Sequence, residues 1–153
     1  MKRKIRVLCI FCAVAAVLVL LASCGEKKSA TIKIGHQVAL TGPSATWGQS
    51  ESNALKMAID KINESGGVLG RKLEVIAYDN RADRLEAVNV AKRLVEQDKV
   101  VAIIGPAQSG VTNAIREVNN AAKIPVIATT ATNPKVTVND DGSVVPYTFR
   151  VCF

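Results

Sequence analysis

From Thr31 onward the apolar positions alternate between two periods. "TIKIGHQVAL" has the β-branched, extended pattern of a strand, and "SESNALKMAIDKINES" places Ala54, Leu55, Ala58, Ile59 and Ile62 at helical spacing until Gly66-Gly67 stops it. "RKLEVIAYDN" predicts a second strand. "RADRLEAVNVAKRLVEQDK" predicts a second helix, with Asp83 and Glu86 spaced as a capping box and Ala87, Val88, Ala91, Leu94 and Val95 on one face. "VVAIIG" shows no alternation and reads as a third strand buried on both faces. A third helix follows in "GVTNAIREVNNAAK", buried through Ala114, Ile115, Val118 and Ala122. "IPVIATT" is a fourth strand and "PYTFRVCF" a fifth, with a turn-rich stretch around Asp141-Gly142 between them.

Strands separated by helices require a parallel sheet with right-handed crossovers. The expected fold is therefore α/β, an open, parallel, doubly wound sheet with helices on both faces. No further repeat and no low-complexity segment interrupts it.

The first thirty residues follow a different logic. "MKRKIR" is a basic start, "VLCIFCAVAAVLVLLASC" an apolar run ending in small residues, and together they read as an export signal. The apolar run is near the lower limit for a bilayer span, so an uncleaved anchor is the competing reading. Leu21-Ala22-Ser23-Cys24 favours the signal, because it resembles the bacterial lipoprotein motif, in which the Cys is lipidated and becomes the mature first residue. The expected organisation is a signal over residues 1–23, a lipid-anchored tether over 24–30 beginning at Cys24, and a ligand-binding lobe over 31–153. More than one acyl chain would be needed for stable anchoring.

Charge and cysteine content narrow the function. The formal charge is +7, but four of the basic residues lie in "MKRKIR", and the rest are dispersed with few aromatics among them. Nucleic-acid binding has little support. Of the four cysteines, Cys9 and Cys12 would leave with the signal and Cys24 would carry lipid. Cys152 remains, as a small buried hydrophobe in the fifth strand with a reactive thiol as the minority reading, so neither a disulfide framework nor a metal site is available. Gly66, Gly67 and Gly70 follow a helix, not a strand, and so do not form a dinucleotide fingerprint. His36 is the only His and reads as structural. A flavodoxin-like or Rossmann-like enzyme is therefore disfavoured, and no cofactor is implied.

In open α/β sheets, ligands bind at the carboxyl ends of the strands. The segments following the first, third and fourth strands are "LTGPSATWG", "GPAQSG" and "TTATNP", rich in hydroxyls and small residues. The opposite sheet edge has ordinary helix-to-strand turns. Ser109 and Gly110 fall at the start of the third helix, where free N–H groups and the helix dipole receive an anion. Ser109 acting only as a helix cap, Thr129, Thr130 and Thr132 capping strand ends, and Trp47 serving as a hydrophobic staple are the structural alternatives. Three such loops on one edge favour a site.

With these residues assembled, the chain from about Thr31 to Phe153 resembles the leucine/isoleucine/valine-binding family of periplasmic receptors for ABC importers. The segments that carry the likeness are "IKIGHQVALTGPSATWGQSESNALKMAIDKINESGGVLGRKLEV", "IIGPAQSG", "PVIATTATNP" and "YTFRVCF". The resemblance implies one lobe of a type I periplasmic binding protein, a two-lobed clamp that closes on a small amino acid and catalyses nothing. It further implies that Ser109, with Gly110 beside it, receives the ligand carboxylate and that Thr132 is a second donor. Thr130 would offer its carbonyl, with its hydroxyl as a further candidate, to the ammonium, and Trp47 would wall the side-chain pocket. The implied partners are ABC permease subunits and the membrane reached through lipid on Cys24. A lipid-anchored sensor lobe, reporting ligand to another partner, is the alternative. The family's second lobe, which completes the ammonium site with an acidic group, is absent from this chain. The expectation is either a piece of a longer product or a truncated protein.

Overall fold

The second strand of the sequence lies at one edge of a five-stranded parallel sheet, and the first strand lies inside it. The computed structural model describes residues 31–152. The expected signal, the tether, Cys9, Cys12, Cys24 and Phe153 lie outside the described residues. The strands are β1 (Ile32–Val38), β2 (Leu73–Asp79), β3 (Ala102–Ile104), β4 (Val126–Ala128) and β5 (Thr148–Arg150), in spatial order β2-β1-β3-β4-β5. All four pairings are parallel. The helices are α1 (Ala45–Glu64), α2 (Arg84–Lys92, continuing as a π-helical turn through Asp98) and α3 (Ser109–Ala122). The order reverses between β1 and β3, and this opens a crevice at their carboxyl ends.

Local chemistry accounts for the helix boundaries. The Asp83 side chain accepts the Glu86 N–H at 2.8 Å and starts α2 as half of the predicted capping box. Lys99 and Lys123 adopt left-handed backbone where α2 and α3 end. Between β4 and β5, Val138 and Val144 bridge in an antiparallel pair around Asp141-Gly142, so the turn-rich stretch, which its signals allow to be a loop or a small hairpin, is a hairpin.

The main core lies between the sheet and the α2–α3 layer. Ala87, Ala91, Leu94, Ile103, Ile115 and Val126 are all fully buried there. Removing such side chains from water supplies most of the driving force for this packing. The other face of the sheet differs from expectation. Among the described residues α1 alone covers it, over β1 and β2, and of the predicted α1 face only Ile59 is buried while Ala54 and Ala58 are exposed. The buried line of α1 runs instead through Gly48 and Ile59, with Ser52, Leu55 and Asn63 half-buried.

β3 is accordingly not buried on both faces. Ile103 points into the core, whereas Ile104 is half-buried and forms a cross-strand row with Ile127 and Phe149, the last 55% exposed. α2 and α3 both pack against the opposite face, so this row lies beyond the reach of α1. Cys152 also departs from expectation. It is half-buried just past β5, where its thiol donates to the Ala131 carbonyl at 3.0 Å. Among the described residues, no helix is long and apolar enough to cross a membrane.

Candidate ligand-binding cleft

The crevice between β1 and β3 opens into a cleft of about 740 Å³, within the range of small-molecule sites. One wall is the β1–α1 connection and the first two turns of α1, with Thr46, Trp47, Ser50 and Glu51. The floor is Ala107, Gln108 and Ser109, between β3 and α3. Thr130 and Thr132, after β4, close the far side. The three hydroxyl-rich segments of the sequence thus converge on one cavity. Four of the five residues singled out there, Trp47, Ser109, Thr130 and Thr132, line it.

The start of α1 sets the first wall. The helix begins at Ala45, five residues before the sequence pattern placed it, so Trp47 stands on a helix and not on a loop. Gly48 makes this possible. A Cβ at that position would lie 2.0 Å from the Ala39 carbonyl oxygen, so only glycine lets the helix approach the end of β1 so closely. The preceding loop is pinned by Asp79, whose carboxylate accepts the N–H groups of Leu40 and Arg81 and the Thr41 hydroxyl. Burial pushes the Asp79 pKa up, but the hydrogen bonds from Thr41, Arg81 and Leu40 outweigh it and hold the carboxyl below its usual range.

The floor is an anion-receiving helix start. The residue preceding α3 is Gln108, and its side chain makes no capping bond. The N–H groups of the first turn are therefore left without a side-chain cap, and the helix dipole adds positive potential. Ser109 is the first residue of α3 rather than its cap. Its Oγ accepts the Asn133 N–H at 3.2 Å, which ties the β4 loop to α3 and leaves the hydroxyl proton available to donate. Gly110, next along α3, is not among the residues lining the cleft, and a Cβ there would lie 2.9 Å from the Arg84 guanidinium of α2, a contact that leaves its backbone N–H free to act. At Gly105, with φ +86, a Cβ would lie 2.1 Å from the Gln37 carbonyl oxygen, so only glycine fits where β3 runs into the floor segment.

The far side is less free than the sequence suggested. The Thr130 hydroxyl donates to the Ala107 carbonyl at 3.2 Å, so its proton is already engaged. The Thr132 carbonyl accepts from the Arg150 guanidinium, which fixes this loop to β5. Thr129 donates to the Glu51 carboxylate and joins the β4 end to α1.

His36, on β1, is 2% exposed and is not among the cleft residues. Its Nδ1 faces the Ile104 carbonyl at 3.1 Å, and a carbonyl can only accept, so Nδ1 carries the proton and Nε2 accepts from the Ser52 hydroxyl. Burial pushes its pKa down, against the raising effects of the Ile104 bond and the Glu51 charge. The imidazole is a neutral strut between β1, β3 and α1. Among the described residues, no cluster of His, Cys, Asp or Glu is placed to hold a metal ion.

The sequence reading missed Thr46, Ser50, Gln108 and Glu51. Glu51 lies one helical turn after Trp47 and on the same face, but only because α1 extends back to Ala45.

Comparison with known proteins places this geometry. Residues 31–152 match the model of a family described as periplasmic binding protein. The leucine-specific-binding protein of Salmonella typhimurium is 34% identical over 137 residues, covering 90% of this chain and 35% of that protein. A branched-chain amino acid transporter substrate binding protein from Streptococcus pneumoniae, solved with isoleucine, superposes with a TM-score of 0.72 at 36% identity over 79% of this chain and 33% of its own. A solute binding protein of an ABC transporter from Rhodopseudomonas palustris, solved with 3,4-dihydroxy benzoic acid, gives 0.69 at 32% identity, over 78% and 31% of the two chains. The chain spans about a third of the length of the curated relatives it matches.

Proposed function

The chain belongs to the periplasmic binding protein family, and from that premise we propose that residues 31–153 are the amino-terminal, ligand-capturing lobe of an exported receptor for an ABC importer. Its ligand is leucine or a similar branched-chain or small amino acid. The observation that carries this reading is the convergence of three post-strand loops on a cleft whose floor is the uncapped start of α3.

In this reading the α-carboxylate sits at the α3 N-terminus and accepts from the Ser109 hydroxyl and the first-turn N–H groups, with Thr132 as a second donor. The Thr130 carbonyl faces the ammonium. Trp47, 62% exposed, walls the aliphatic side chain and is the surface most altered by occupancy. No bond is made or broken. Binding shifts an open–closed equilibrium that the permease reads. Residues 1–23 are removed on export, and lipid on Cys24, followed by the tether over 24–30, holds the lobe at a membrane.

Trp47 is the sole Trp of the chain, so its fluorescence reports the cleft directly. Titration with leucine, isoleucine and valine is expected to give saturable changes, and ribose none. Flat titrations with every amino acid overturn the proposal.

A further inference from the structure

α1 carries an apolar stripe that its own sheet does not use. Two hydrogen bonds fix how the helix is turned: the Ser52 hydroxyl donates to His36 of β1, and Glu51 accepts from Thr129 at the end of β4. The Glu51 flank therefore looks across β3–β5. Ala54, Ala58 and Ile62 follow at helical spacing and continue that flank. Ala54, Ala58 and Ile62 are exposed, and Met57, on the outer side beside them, is 73% exposed. Lys56, Asp60 and Asn63 lie instead on the β2 side, where they line a separate cavity with Leu73 and Val75.

The sheet beyond that flank presents the row Ile104, Ile127 and Phe149, continued along the chain by Val151, which is 72% exposed. An α-helix is about 10 Å in diameter, so the row is the floor of a step-shaped recess with α1 as its wall. A flat surface cannot reach this floor. It takes an element of helical height, and strands spaced about 4.8 Å apart make β3–β5 about one helix wide. α1 is such an element, with an exposed apolar stripe to offer. Its own recess lies beside it, out of its reach, but the same recess on another copy does not.

We propose that this recess is an interface with a second copy of the chain, in which α1 of each copy lies in the recess of the other across a two-fold axis. The two helices pack flank to flank through Ala54, Ala58 and Ile62, and Met57 of each sets on Ile127 and Phe149 of the other. The arrangement is isologous, so one stripe serves twice: its flank meets the other α1, and its outer side covers the other bare sheet. The small side chains of Ala54 and Ala58 let the helices approach closely. Lys61, at the margin of the stripe, extends its stem over the contact and keeps its ammonium in water. A helix of 20 residues is about 30 Å long and about 10 Å wide, so two covered sides amount to about 600 Å² of each copy before the sheet row is added. A standard stable interface takes about 800 Å² from each partner. The inference goes beyond the receptor reading and does not depend on the ligand.

The test measures the protein mass of the full chain in detergent by sedimentation equilibrium, for wild type, Met57→Glu, Phe149→Lys and an equimolar mixture of the two variants. Both side chains are exposed in the single chain, and circular dichroism checks that each variant keeps its fold. Wild type is expected at twice the mass of one chain at micromolar concentration. Each variant alone is expected to dissociate, with a dissociation constant raised about tenfold or more. The mixture is expected to regain the dimer, because a glutamate on one copy then meets a lysine on the other while the second contact stays native. A variant that loses its fold is replaced by the reversed pair, Met57→Lys with Phe149→Glu, read in the same way. Wild type at the mass of one chain overturns the proposal. Single variants that stay dimeric place the contact elsewhere and overturn it too, as does a mixture that remains dissociated.

Discussion

The backbone N–H of Asn133 donates to the hydroxyl of Ser109 across 3.2 Å, joining the loop after β4 to the first residue of α3. Because the oxygen is engaged as acceptor, the hydroxyl proton points to another partner. Ser109→Ala removes both the tie and the donor. Leucine affinity is expected to fall about tenfold or more, as for a lost hydrogen bond to a charged group. The melting temperature is expected to move by only a degree or two, because the tie is exposed. Calorimetric titration alongside a thermal melt separates the two effects, and unchanged affinity would remove Ser109 from the site.

Gly48→Ala acts through the backbone. The added methyl would meet the Ala39 carbonyl oxygen at 2.0 Å and Val38 Cγ2 at 2.9 Å, neither of which can move far inside the β1 end. The first turn of α1 must then lift away, at a cost of about 1–3 kcal/mol. The expected result is a melting temperature several degrees lower, together with altered Trp47 fluorescence before any ligand is added. A variant as stable as wild type, with an unchanged emission maximum, contradicts this close contact.

His36 predicts a pH dependence of stability. Its folded pKa lies below the ordinary value of 6.5, so on acidification the unfolded chain takes up a proton before the folded one does. The stability that this group secures is complete above about pH 6.5 and declines below it, with a slope of up to about 1.4 kcal/mol per pH unit, until the folded value is reached. Asp79 is depressed and loses its contribution only in stronger acid, below its ordinary 3.8, so the two windows are separate. Urea melts at about pH 7 and about pH 5 should differ in wild type and differ much less in His36→Gln. Equal pH dependence in both proteins would show that the imidazole is not the responsible group.

The alternation of periods from Thr31 onward was enough to read out the order of strands and helices and the side of the sheet on which the cleft lies. The start of α1 was not readable. "SATWG" looks like a loop by composition, and only the contact between Gly48 and Ala39, distant in sequence pattern and close in space, lets a helix form there. Glu51 was overlooked for the same reason, since its position beside Trp47 follows only from the extended helix. The one-sided burial of β3 was equally hidden. "VVAIIG" has the same apolar pattern whether one or both faces are covered, and coverage depends on where α1 settles across the sheet. For Ser109 the sequence left capping and ligand binding open, and the uncapped Gln108 with its neighbour's hydroxyl turned to Asn133 rules out the capping role.

The cleft is assembled from three short segments, each mounted on its own strand, while the main packing lies against the far face of the sheet. A lineage built this way can change its diet by small edits. A substitution confined to the segment after one strand leaves the other two segments and the scaffold beneath them in place, so each wall of the cleft can vary on its own.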